Sequence, residues 1–126
     1  MKKYKGIILI VDDEKFLTDS LGRSLKKLNY FVHGFNNGQA AIYAIRNQGI
    51  NYDLALVDLS FPTEPDGVEI TECSKNINPE TPVLGISAGD VQFMHTDGFI
   101  KKEPDMIKSI EKAFKKYVLK KRRKIK

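Results

Sequence analysis

Five short apolar runs punctuate this chain, and stretches of helical period separate them. Ile7 to Val11 is apolar without a break, the pattern of a strand covered on both faces. From residue 14 to 28 the period changes: Phe16, Leu17, Leu21, Leu25 and Leu28 recur at helical spacing among basic residues. Asp12 or Asp13 is the candidate cap of that helix, since a short side-chain oxygen can accept from the free N–H groups of a first turn. Tyr30 to Phe35 reads as a second strand, and Asn36, Asn37 and Gly38 as a turn. Ala40 to Asn47 predicts a short helix with Ala41, Ile42, Ala44 and Ile45 inward.

Leu54 to Val57 is a third strand that ends at Asp58. A loop with Pro62, Pro65 and Gly67 follows, then a helix from Val68 to Ile77 that Asn78, Pro79 and Pro82 terminate. Val83 to Ile86 is a fourth strand ending at Ser87, and Phe99 with Ile100 is a short fifth. Residues 105–120 predict the last helix, with Met106, Ile107, Ile110, Ala113, Phe114 and Tyr117 on its apolar side. Strands alternating with helices imply parallel βαβ units, hence an α/β fold with helices on both faces of one sheet.

Composition narrows the picture. A length of 126 residues fits one domain, and 41% hydrophobic with 29% charged residues is ordinary for a globular chain. No apolar run approaches the roughly 18 residues of a membrane span, so no membrane insertion is expected. The run Ile7 to Val11 after a lysine-rich start is too short for a secretory leader. The single cysteine, Cys73, forms no internal disulfide, so the cytoplasm is the expected location. It reads as a small residue on a helix face. His33 and His95 read as structural. The net charge of +5 comes from the end of the chain: residues 115–126 hold eight bases and no acid, leaving 13 of the 21 bases against all 16 acids elsewhere. This tail reads first as a solvated helix end, with an electrostatic contact to nucleic acid as the alternative.

In an open parallel sheet, sites form at the carboxyl ends of the strands. Asp12 and Asp13 end the first, Asp58 the third and Ser87 the fourth, while Lys101 and Lys102 follow the fifth. Three clustered carboxylates repel one another, and a hard divalent cation such as Mg²⁺ relieves that repulsion. A carboxylate can also attack phosphorus to give an aspartyl phosphate, with an ammonium and the cation balancing charge on the transferring group.

These residues in this order resemble the receiver domains of two-component response regulators. The resemblance rests on Ile7 to Glu14, on Leu56 to Pro62 with Asp66 and Gly67, on Ile86 to Ala88, and on Gly98 to Lys102. It implies a flavodoxin-like doubly wound five-stranded parallel sheet in order 2-1-3-4-5. Residues 1–120 are then the receiver domain and 121–126 a basic C-terminal tail. Asp58 becomes the phosphoacceptor. Asp12, Asp13, Asp58 and the backbone carbonyl of Ser60 become the Mg²⁺ set, Ser87 and Lys102 contact the phosphoryl group, and Phe99 is the switch aromatic. Lys102 is preferred to Lys101 because the family pattern is aromatic, aliphatic, any residue, lysine. The partners implied are a sensor histidine kinase or phosphotransfer protein and an unnamed downstream target. The protein catalyses only its own phosphorylation and dephosphorylation.

The sequence departs from the family twice. The loop after Asp58 is one residue longer than usual before Asp66. Only 14 residues, Ala88 to Lys101, separate Ser87 from Lys102, which leaves room for a shortened or irregular fourth helix. That shortening motivates a rival expectation, a receiver-like interaction scaffold that works without phosphorylation. A metal-dependent phosphatase is weaker, since no second catalytic base is evident.

Overall fold

A computed structural model describes residues 3–59, 65–88 and 96–120. Ser60, the lengthened loop after it, His95, the predicted fourth-helix stub and the tail 121–126 lie outside the described residues. The elements are β1 (Ile7–Val11), α1 (Lys15–Lys27), β2 (Phe31–Phe35), α2 (Gly38–Asn47), β3 (Leu54–Asp58), α3 (Gly67–Ile77), β4 (Val83–Ser87), β5 (Gly98–Lys101) and α4 (Met106–Phe114). All five strands are parallel in one sheet, ordered β2-β1-β3-β4-β5.

The unbroken apolar runs have a simple cause. Alternate residues of a strand face opposite sides, and both sides here are covered. Ile8 and Ile10 of β1 join Leu54, Leu56, Leu84 and Ile86 beneath Leu21 and Leu25 of α1 and Ile110 and Phe114 of α4. Leu9 and Val11 join Ala55, Val57 and Val83 beneath Ala41 and Ile45 of α2 and Ile70 and Cys73 of α3. The edge strand β2 is only partly covered and carries polar positions, which its mixed sequence reflects.

Three local features depart from the sequence reading. Neither Asp12 nor Asp13 caps α1: Glu14 holds the N-cap position and its side chain caps nothing. Phe16 is 82% exposed. At about 100° per residue it lies roughly 150° from the middle of the stripe formed by Leu17, Thr18, Leu21, Leu25 and Leu28, so it faces solvent. Finally, α4 continues as a π-helical turn, Lys115–Leu119, in which the Lys120 N–H reaches the Lys115 carbonyl. That turn buries Val118, which the predicted apolar side omitted.

Side chains and a left-handed turn close three other helix ends. Asn37 and Asp66 cap α2 and α3, accepting from the N–H groups of Ala40 and Glu69 at 2.8 and 3.0 Å. Helix α1 ends in a Schellman arrangement, with the Tyr30 N–H on the Leu25 carbonyl and the Asn29 N–H on that of Lys26. Asn29 takes the left-handed conformation this needs, at φ 73°.

One glycine fixes α3 against the sheet. A Cβ on Gly67 would lie 2.6 Å from the Asp58 carbonyl oxygen and 3.2 Å from the Leu59 Cα, backbone atoms that cannot turn aside. In an open helix position Gly→Ala is stabilising by up to ~1 kcal/mol. Here the sign reverses: Gly67→Ala lowers stability by about 1–3 kcal/mol through overpacking, measured as a lower urea midpoint at unchanged slope.

Candidate functional site

The doubly wound order makes β1 and β3 neighbours, so the residues that end them meet. Asp12 continues β1, its N–H donating to the Phe35 carbonyl at 3.0 Å. Asp58 is the last residue of β3, in register with Ile86 of β4. Carboxylate oxygens of Asp12, Asp13 and Asp58 all lie within 4.8 Å of one another. Asp12 and Asp58 are buried and Asp13 is exposed, so the cluster opens to solvent on the Asp13 side.

Lysine 102 arrives from the far side. Its backbone N–H donates to the Ser87 carbonyl at 2.8 Å, which extends the β4–β5 pairing by one residue. Its ammonium stands 2.8 Å from Asp12 Oδ2, 3.0 Å from Glu14 Oε1 and 3.7 Å from Asp58 Oδ2. Lys101, one residue back, is exposed, as alternation along the strand requires.

Backbone contacts hold the acids in place. The Glu14 N–H donates to Asp12 Oδ1 at 2.8 Å. Asn36 Nδ2 donates to the Asp12 carbonyl and to Thr18 Oγ1, both at 2.9 Å, tying the β2–α2 turn to the first turn of α1.

The electrostatics follow from burial and crowding. Burial pushes the Asp12 carboxyl above its ordinary pKa; the Asp58 charge adds to this, and the contacts with Lys102 and the Glu14 N–H only partly offset it. Burial and then the adjoining Asp58 carboxyl raise Asp13 as well. For Lys102 burial works against the charged form, but Asp12, Glu14 and Asp58 outweigh it and hold the ammonium above its usual pKa. Three carboxylates therefore share one ammonium.

The predicted residues Asp12, Asp13, Asp58 and Lys102 are thus brought together. Ser87 is buried at the end of β4, one residue past the register partner of Asp58. Phe99 is 52% exposed on β5. Glu14 was missed by the sequence reading as a partner of Lys102. Its signal was available, since it follows Asp12 and Asp13 directly at the same sheet edge.

Such a donor set suits a hard cation. Mg²⁺ favours a few carboxylate oxygens and keeps waters for the rest, and these three acids supply clustered oxygens with one exposed side. Among the described residues this is the one such group of acids, cysteines or histidines. No described helix is long and apolar enough to cross a membrane.

Comparison with known proteins agrees with this geometry. The model of the response regulator receiver domain matches residues 8–124. The transcriptional regulatory protein ResD of Bacillus subtilis is 33% identical over 92 residues, 73% of this chain and 37% of that protein. The response regulator receiver protein CpdR of Brucella abortus is 29% identical over 80 residues, 64% of each. The chain thus spans less than two thirds of the length of these relatives. Among solved structures, a CheY-like receiver domain protein from Methanospirillum hungatei superposes with a TM-score of 0.78 at 22% identity, covering 94% of this chain and 98% of that one. The N-terminal domain of a three-domain response regulator from Carboxydothermus hydrogenoformans gives 0.75 at 27% identity, covering 88% and 95%. With its sheet order, its edge of acids and a family match across nearly its whole length, the chain belongs to the response regulator receiver domains of two-component systems.

Proposed function

We propose that this domain accepts a phosphoryl group on Asp58 from a phosphohistidine of a sensor histidine kinase or phosphotransfer protein, and that the modified domain changes its affinity for a downstream target. The observation that carries this is the trio of carboxylates within 4.8 Å with the Lys102 ammonium beside Asp58. Asp12, Asp13 and Asp58 would hold Mg²⁺, with the Ser60 carbonyl as a further ligand; the cation supplies charge balance for the oxygens of the transferring group. The Asp58 carboxylate oxygen forms the new bond to phosphorus as the phosphorus–nitrogen bond of the donor breaks, and the imidazole leaves with the electron pair. Lys102, already 3.7 Å from Asp58 Oδ2, needs only a short shift to meet the new negative charge. The Ser87 hydroxyl donates to a phosphoryl oxygen, and Phe99 on the exposed side of β5 follows the change. Catalysis here is confined to the domain's own modification, in the cytoplasm.

Incubation with acetyl phosphate and Mg²⁺, followed by intact mass measurement, adds one phosphoryl group. Asp58→Asn or removal of the cation with EDTA abolishes the gain. A gain that survives Asp58→Asn overturns the assignment.

Charge crowding has a thermal signature. Asp12 and Asp13 have folded pKa values raised above the unfolded value of about 3.9. Their stabilising contribution is therefore complete below that pH and is lost as pH rises through the folded values. Above those folded values the metal-free protein carries the cost of both charges. Asp13→Asn accordingly raises the melting temperature in EDTA. Mg²⁺ at a hundredfold over its Kd stabilises the wild type by about 2.7 kcal/mol and stabilises this variant much less, as read by calorimetry.

A further inference from the structure

The Lys102 ammonium is closer to Glu14 than to the acid it is meant to serve. It lies 3.0 Å from Glu14 Oε1 and 3.7 Å from Asp58 Oδ2. A second observation concerns Glu14 alone. It occupies the N-cap position of α1, where Ser, Thr, Asp or Asn is favoured because the side chain can accept from the first turn. Glu14 makes no such bond. Its carboxylate reaches across to Lys102, just past β5, instead, while its own N–H is fixed on Asp12 Oδ1. The helix forgoes a cap, and Lys102 gains an extra partner.

We propose that Glu14 is a positioning residue that acts through Lys102: in the resting domain it shares the ammonium with Asp12 and competes with the phosphoryl group for it, and so sets how readily Asp58 is modified. This rests on the phosphoacceptor reading and deepens it. Lys102 is the one basic side chain shown at the acid cluster among the described residues. Positive charge counts toward the rate only where it meets charge that grows in the transition state. An ammonium already held by two carboxylates must release one of them to close the 3.7 Å separation from Asp58 Oδ2 to contact distance. Glu14 is well exposed, so this hold is screened and weak enough to yield. Asp12, buried and closer, keeps its pairing in either state.

The test is the initial rate of phosphoryl incorporation from acetyl phosphate at fixed Mg²⁺, by intact mass. Four proteins are compared: wild type, Glu14→Gln, Lys102→Met and the double variant. Glu14→Gln is expected to react about fivefold faster, equivalent to ~1 kcal/mol at 1.36 kcal/mol per tenfold. In the Lys102→Met background the same change is expected to do nothing, since the two residues then share no interaction. An equal acceleration in both backgrounds overturns the proposal, because Glu14 then acts by simple repulsion of the anionic donor. Beryllofluoride affinity in the presence of Mg²⁺, by titration calorimetry, reads the same competition without turnover. It should tighten about fivefold in Glu14→Gln and only when Lys102 is present; unchanged affinity overturns the proposal. If the wild type is modified and Glu14→Gln is no faster, this inference alone fails. If the wild type is not modified at all, the phosphoacceptor reading fails and takes this one with it.

Discussion

Two buried carboxylates, Asp12 and Asp58, side by side at the end of an apolar sheet, are the constraint to which the rest of this structure answers. A lone ionised carboxylate in such surroundings is costly. The chain meets that cost with neighbours placed by the fold. β1 and β3 lie adjacent because the sheet is wound outward in both directions from them, and that adjacency creates the crowding. β5, two strands away from β3, delivers Lys102 back over the same edge. Thus the topology that produces the repulsion also supplies part of its relief. The relief is incomplete, as the raised pKa values of Asp12 and Asp13 record.

The packing below serves the same edge. The central strands β1, β3 and β4 present apolar residues to both layers of helices, which fixes strand register and hence the relative height of Asp12, Asp58 and Ser87. Gly67 brings the start of α3 against the Asp58 carbonyl itself, so the backbone beneath that carboxylate is held by close contact. A site whose charges repel benefits from such a base, because the acids cannot relax apart by sliding their strands.

Much of this was legible in the sequence, for a physical reason. Runs such as Ile7 to Val11 and Leu54 to Val57 are too apolar for anything but a doubly covered strand, and each is followed at once by an acid. Chain order and strand ends therefore pointed to an α/β fold with the acids at one edge, while the strand order 2-1-3-4-5 came from the resemblance to receiver domains. What escaped detection was local. Phe16 belonged to an apolar list but not to its face, which a helical angle would have shown. Asp12 looked like a cap because Asp commonly is one, yet its carboxylate serves the Glu14 N–H and Lys102 instead. Glu14 entered the sequence reading only as the end of the motif Ile7 to Glu14. Three-dimensional placement shows that this exposed residue shares the Lys102 ammonium, 88 positions downstream, with Asp58, 44 positions downstream.

That sharing gives the single ammonium its significance. Three carboxylates, Asp12, Glu14 and Asp58, share one Lys102, so its position reports the balance of negative charge around it. Its backbone is pinned to Ser87 and to the strand that carries Phe99 and Lys101. The response to added charge at Asp58 must then fall on the flexible side chain first. The nearest partners are unequal: Asp12 is buried at 2.8 Å, while Glu14 is exposed at 3.0 Å and screened by solvent. Screening makes the outer pairing the weaker one. New charge beside Asp58 is therefore met at the expense of the contact with Glu14, and the buried pairing with Asp12 persists.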